Sequence, residues 1–186
     1  MPKLRVIGFD PSMSNWGIAA GTYDTDTKQL SLKTIEVIQT SKGQNKQVRT
    51  NSDDMDRSQQ IVRELQKYID AKPHAVFVEV PVGSQSAAAM KSYGVCVGIL
   101  GALRAQGVPI YPLAPDALKQ HATGSKTASK ADMINWAVTR YSQLDWPTLR
   151  GKVIAGKAEH MADAVAAVET GLKDPSFLQI AALLQA

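Results

Sequence analysis

The chain begins with an apolar run, residues 4–10, broken only by Arg5 and ended by Asp10. This pattern predicts a buried strand. Residues 16–23 and 30–39 predict two more. In the third, Leu30, Leu32, Thr34, Glu36 and Ile38 alternate with Ser31, Lys33, Ile35 and Val37. The joins hold Gly, Asp, Thr and Asn, so an antiparallel meander is expected. Residues 40–52 are polar and predict an exposed loop. Asn51 or Ser52, followed by Asp53 and Asp54, signals a helix start. Met55, Ile61, Val62, Leu65 and Ile69 then give a helical stripe ending near Asp70, before Lys72-Pro73.

Further on, the pattern changes to alternating strands and helices. Residues 75–80 predict a short apolar strand carrying Glu79 at its end. Residues 84–106 predict a long Ala-rich helix, 108–113 a strand, 115–121 a short helix and 123–127 a loop. Residues 128–144 predict a helix, 145–156 irregular chain, 158–172 a helix and 177–184 a last one. The order βββαβαβα, plus a final helix, predicts an α/β fold with a five-stranded mixed sheet and helices on both faces. No internal repeat or low-complexity segment interrupts it.

Composition narrows the class without naming a function. The 186 residues are 44% hydrophobic and 20% charged, enough for one domain with a full core, taken as residues 1–186. A lone Cys, Cys96, excludes an intrachain disulfide framework and fits a reducing compartment. The N-terminal apolar run is too short for a secretory segment, and residues 93–103 are too short to span a bilayer. A soluble, intracellular protein is expected, cytoplasmic and nucleoid-associated, with no membrane partner. The net charge of +4 leans toward a polyanion. Lys42, Lys46 and Arg49 lie in a stretch free of acids. Lys119, Lys126 and Lys130 cluster with only Asp116 nearby, and Arg140, Arg150, Lys152 and Lys157 follow. Each cluster alone also fits a solvated surface.

Two acids at strand ends carry the chemistry. If the strands ending at Asp10 and Glu79 are parallel neighbours, both carboxylates emerge at the sheet edge where α/β folds place ligands. Two acids meeting there call for a cation, because like charges disfavour each other's ionisation. The helix segment KAEHMADAV adds His160 and Asp163, three apart and so on one face. Three carboxylates and one imidazole suit Mg²⁺, with Mn²⁺ taking the imidazole more readily; zinc is disfavoured without Cys. Two such ions about 4 Å apart can activate water and stabilise the leaving oxygen of a phosphodiester. Plainer roles exist for each residue. Asp10 can start a turn, Glu79 can be a strand-end acid, and His160 and Asp163 can be surface residues. Glu159 competes with His160 as a ligand, and whether His160 is ligand or base stays open.

These segments resemble the RuvC-type Holliday-junction resolvases of the RNase H-like superfamily. The likeness runs from Leu4 to about Leu172. It rests on GFDPSMSNWGIA, VFVEVP, PLAPDALKQHATGSKTASK and HMADAVA. Asp10, Glu79, His160 and Asp163 fall on the family's acidic set, and Lys119, Gly124 and Lys130 fit its basic segment. The resemblance implies a homodimeric, Mg²⁺-dependent endonuclease that binds four-way junctions, cuts two opposed strands symmetrically, and serves recombination and repair. It implies that Lys119 and Lys130 lie near the scissile phosphate; Lys126 is a further DNA-binding candidate, as are Lys42, Lys46 and Arg49. One departure stands out. EVPVGSQS places Val82 where cellular members often carry a wedging aromatic, so a divergent, for example phage-type, member is implied.

Other readings remain. A nuclease acting on other branched DNA or structured RNA would use the same acids. An actin-like phosphotransferase would need a second copy of the core, and 186 residues leave no room for one. A silent junction binder would gain nothing from clustered carboxylates. TGSKTASK is not a P-loop, because Lys119 stands where the first Gly is required. Gly94, Gly98 and Gly101 share one helix, fitting either packing on the sheet or a two-fold contact. Cys96 reads as core, as do Trp16 and Trp136; Trp146 is left between core and DNA stacking.

Overall fold

The computed structural model describes residues 3–43, 49–80, 83 and 86–184. Lys46 and Val82 lie outside them. The three N-terminal strands are β1 (Lys3–Asp10), β2 (Asn15–Asp24) and β3 (Gln29–Gln39), followed by helix α1 (Thr50–Asp70). Then come β4 (Ala75–Glu79), α2 (Ala87–Ala105), β5 (Ile110–Leu113), α3 (Pro115–Thr123) and α4 (Lys130–Arg140). A small hairpin of β6 (Thr148–Leu149) and β7 (Lys152–Val153) precedes α5 (Ala155–Gly171) and α6 (Pro175–Leu183). The five-stranded sheet has the order β3-β2-β1-β4-β5. Strands β1, β2 and β3 form the expected antiparallel meander, while β1, β4 and β5 run parallel.

Each strand feeds two cores, because successive side chains point to opposite faces. Leu4, Val6, Ala75 and Phe77 meet the apolar side of α5, built from Ala164, Val165 and Val168. Phe177 of α6 packs edge-on against Phe77, 5.1 Å between ring centres. On the other face Ile7, Phe9, Val76 and Val78 meet Ile61 and Leu65 of α1, and Cys96, Ile99, Leu100 and Leu103 of α2. Helices therefore cover both faces, as expected. Among the described residues no helix is long and apolar enough to cross a membrane.

Several boundaries and faces differ from expectation. The β2–β3 register shifts at Ala20/Gly21, with Ala20 opposite Thr34 and Gly21 opposite Leu32. That bulge places Lys33 between partners and reverses the alternation, so Leu32 and Ile35 share one core instead of facing apart. In α1 the buried stripe is Arg57, Ile61 and Leu65, at four-residue spacing, while Met55 and Val62 are exposed. This helix starts at Thr50 with Arg49 as its N-cap, not at Asn51 or Ser52. Helix α4 is shorter than predicted, opened by a capping box between Ser129 and Asp132. The segment expected to be irregular holds the β6–β7 hairpin, and α5 starts at Ala155. Trp16 is fully buried, and Trp136 and Trp146 pack at the edge of the α5 core.

Two glycines set the separation between α5 and the sheet. A Cβ on Gly8 would stand 2.0 Å from Ala164 O, and one on Gly17 would stand 2.1 Å from His160 O. Both obstacles are helix backbone, so neither can swing aside. Gly17→Ala is expected to destabilise the fold by about 3 kcal/mol, at the upper end of overpacking costs. Urea denaturation measures the loss; a Gly17→Ala protein as stable as the parent contradicts this packing.

Candidate functional site

The site is built at the carboxyl ends of β1 and β4. Phe9 stands opposite Val78 in the parallel pair, so the next residues, Asp10 and Glu79, leave the sheet side by side. This satisfies the condition on which the sequence argument rested. On its other side Asp10 pairs with Gly17 of β2. His160 lies directly above Gly17, because its carbonyl occupies the space a Cβ there would need. The imidazole thus arrives over Asp10, and its Nδ1–H donates to Asp10 Oδ2 at 2.6 Å. Asp163, one turn further along α5, faces the same point.

The electrostatics show how close these groups are. Burial, then the charges of Asp10 and Glu79, push the Asp163 carboxyl up to about 8, against the opposing charge of His160. Burial and Asp10 push Glu79 up to about 7, while the Lys119 ammonium pulls it down. For His160, burial disfavours the cation, but the hydrogen bond and charge of Asp10, aided by Glu159 and Asp163, outweigh it and raise its pKa. The structure thus brings together Asp10, Glu79, His160 and Asp163, with Lys119 on α3 close enough to act on Glu79.

The remaining basic candidates are placed differently. Lys130 Nζ lies 2.9 Å from Glu159 Oε2, and Glu159 Oε1 lies 3.5 Å from His160 Nε2. Glu159 therefore bridges Lys130 to the site. Lys126 pairs with Asp116 at 3.7 Å in the loop after α3. Lys42 and Arg49 are exposed near the start of α1. Lys42 follows Thr40, which is tied to the turn after Asp10 by its N–H donating to Ser14 O at 3.1 Å.

Arg57 was not anticipated. Its guanidinium is buried and donates to Met13 O (2.9 Å), Ser14 Oγ (3.0 Å) and Thr40 Oγ1 (2.9 Å). Thr40 Oγ1 also donates to Met13 O. This clamp holds the turn that follows Asp10. Its only sequence signal was periodicity: Arg57 continues the Ile61–Leu65 stripe, where an apolar residue is expected.

The donor set fits a hard divalent cation. It offers three carboxylates and an imidazole, and Glu79 and Asp163 are held back from ionising by burial and by Asp10, Asp163 also by Glu79. Among the described residues no group of three His, Cys, Asp or Glu side chains is already set to hold a metal. One oxygen of Asp10 is engaged by His160.

Solved structures share this architecture. Thermus thermophilus RuvC, in complex with Holliday junction substrate, matches with a TM-score of 0.66 at 22% identity, covering 90% of this chain and 92% of that one. The yeast mitochondrial Holliday junction resolvase Ydc2 matches at 0.61 and 16% identity, over 96% of this chain and 83% of that one. The fowlpox virus resolvase, in complex with substrate Holliday junction DNA, matches at 0.60 and 15% identity, over 91% and 97%. No protein-family model and no curated protein matches the sequence. At these identities the likeness shows the fold: the RNase H-like sheet of the RuvC-type resolvases, as expected.

The crowded acids give the metal-free protein a defined pH response. Folded Asp163 and Glu79 keep their protons to about 8 and about 7, whereas in the unfolded chain both are lost near the ordinary carboxylate range. Between those limits the folded state binds more protons, so stability falls as pH rises from ~4 to ~8. Asp163→Asn in chelator is expected to be more stable than the parent at pH 8, by ~1–3 kcal/mol, and no more stable near pH 4. Thermal melts at the two pH values decide it; an equal or lower Tm for the variant at pH 8 contradicts the crowding.

Proposed function

We propose that this chain is a metal-dependent endonuclease that binds four-way DNA junctions and resolves them by paired symmetric nicks. The observation that carries the reading is the meeting of Asp10, Glu79 and Asp163 at one sheet edge, with His160 hydrogen-bonded to Asp10. Buried acids without a compensating cation are costly, and a structural role would favour removing them. The fold shared with solved resolvases supports the same substrate class.

Asp10, Glu79, His160 and Asp163 would hold Mg²⁺, with Mn²⁺ able to substitute and two ions per site expected. Bound there, the metal would supply activation of the attacking water and stabilisation of the leaving oxygen. His160, held by Asp10, either ligates or accepts a proton. Lys119 offers an ammonium beside Glu79 that can neutralise charge growing on the phosphate. Lys126 and Lys130, with Lys42, Lys46 and Arg49, would position the backbone without reading sequence.

Two opposed nicks need two sites, and α2 offers a face for a second copy. Gly94, Gly98 and Gly101 do not pack on the sheet: a side chain at any of them would meet nothing within 4 Å. They line the outer face of α2 with Met90 (47% exposed) and Val97 (51% exposed). The packing alternative for this stripe is thereby removed. An exposed stripe of small and apolar residues on one helix could meet its own copy across a two-fold axis, which supports the homodimer reading.

The test uses labelled four-way junction, matched linear duplex and structured RNA, each with Mg²⁺ or EDTA. Paired Mg²⁺-dependent nicks on the junction are expected, lost by at least about 10³-fold in Asp10→Asn while binding persists. Cleavage of RNA alone moves the activity to structured RNA, and binding without cleavage in Mg²⁺ and Mn²⁺ removes the enzyme reading. For the assembly, Val97→Lys is expected to shift the protein from dimer to monomer in light scattering, leaving its melting temperature at low concentration unchanged. A parent that is monomeric at every concentration tested contradicts the α2 interface.

A further inference from the structure

The hairpin ahead of α5 has features that a passive connection does not need. Its base is pinned. Trp146 Nε1 donates to Tyr141 O (2.9 Å), and Ile154 N donates to Pro147 O (2.8 Å). Thr148 pairs with Val153 and Leu149 with Lys152, leaving Arg150 and Gly151 as the two-residue turn. Both have positive φ, 50° and 76°, as a type I′ turn requires. Asn or Gly serves the first position with less strain than Arg. Lys28 and Lys72 share this left-handed backbone, so what sets Arg150 apart is its place at the tip of a hairpin beside an exposed leucine.

The chemistry of the tip is consistent in kind. Leu149 is 66% exposed, beside its strand partner Lys152 and next to Arg150. Lys126 and Lys130 are already paired with carboxylates. By contrast, Arg150, Lys152 and Lys157 form no ion pair among the described residues. The root of the hairpin adjoins the acids. Val153 shares an apolar cleft of about 520 Å³ with Lys130, Ile134, Val138, Gly156 and Glu159. Glu159 in turn reaches His160, which holds Asp10.

We propose that this hairpin is a DNA-engaging finger. Arg150, Lys152 and Lys157 grip phosphates beside the strand entering the site, and Leu149 inserts against an unstacked base at the branch point. Apolar side chains wedge base steps in this way, and free cations on either side offset the cost of holding the opened backbone. The inference rests on the junction reading and deepens it, assigning the contact that distinguishes a branch from linear duplex.

The test uses the whole chain in EDTA with a four-way junction carrying 2-aminopurine beside the branch, and with the same strand in linear duplex. Parent protein is expected to raise the junction's fluorescence. Leu149→Ser should abolish that rise and weaken junction binding about tenfold, with duplex binding held within about twofold. Leu149→Phe should keep the rise. Arg150→Asn, which preserves the turn, combined with Lys152→Gln should flatten the slope of log affinity against log salt by about 2. Melting temperature controls for folding. A parent that binds the junction without a fluorescence rise overturns the wedge, as does a Leu149→Ser protein indistinguishable from it. An unchanged salt slope in the double variant overturns the grip. In these cases junction cleavage by the parent leaves the functional reading standing. A parent that binds no branched DNA overturns both.

Discussion

The close approach of α5 to β1 and β2 is the constraint on which the rest of the molecule depends. The helix backbone rests directly on Gly8 and Gly17, without side chains between. A helix packed over ordinary side chains would ride higher, and His160 would not reach Asp10. Because Gly17 is both the partner of Asp10 in the sheet and the floor under His160, one register brings imidazole to carboxylate. The site's precision is therefore a property of backbone contact, which tolerates less adjustment than contacts between flexible side chains.

The same helix shows two solutions to burying an acid. Burial raises both Asp163 and Glu169. At Glu169 hydrogen bonds from His121, Tyr141 and Arg140 more than reverse that, holding the carboxyl at about 2. At Asp163 the neighbours are Asp10 and Glu79, and the carboxyl stays near 8. Glu169 has its cations and hydroxyl built into the fold and ties α3, α4 and α5 together. Asp163 faces Asp10, Glu79 and Glu159, and the charges of His160 and Lys130 do not outweigh them and its burial. Two buried acids six residues apart thus separate a group satisfied by the protein from one that calls for a cation from outside.

What could be read from the sequence follows from the range of each interaction. Strand and helix positions were legible because hydrophobic periodicity is local, and Asp10 and Glu79 were legible because acids ending apolar strands are rare. Their adjacency depended on β1 and β4 being parallel neighbours, which the βα alternation implied. The alternation of β3 misled, because a bulge at Lys33 has no marker in the strand itself. The role of Arg57 was hidden because, beside its local ion pair with Asp54, the groups it clamps are a carbonyl and hydroxyls seventeen or more residues away. The β6–β7 hairpin was missed because two-residue strands carry no periodicity and Arg-Gly is an uncommon type I′ turn.

The pairing of the lysines bears on how a polyanion can enter without leaving the acids exposed to one another. Lys130 neutralises Glu159, which otherwise adds to the negative field at Asp163. Lys130 is mostly exposed and Glu159 is not, so the pair is weak enough to exchange at little cost. On the proposed reading, a phosphate drawing Lys130 away would strengthen the negative field felt by Asp163 and His160. That change favours cation binding at the moment the substrate arrives. Lys119 forms no ion pair among the described residues and acts on Glu79 directly, so on the proposed reading it would be the ammonium that meets the phosphate. The two lysines would then have separate tasks, one coupling DNA arrival to the field at the acids and the other facing the reacting group.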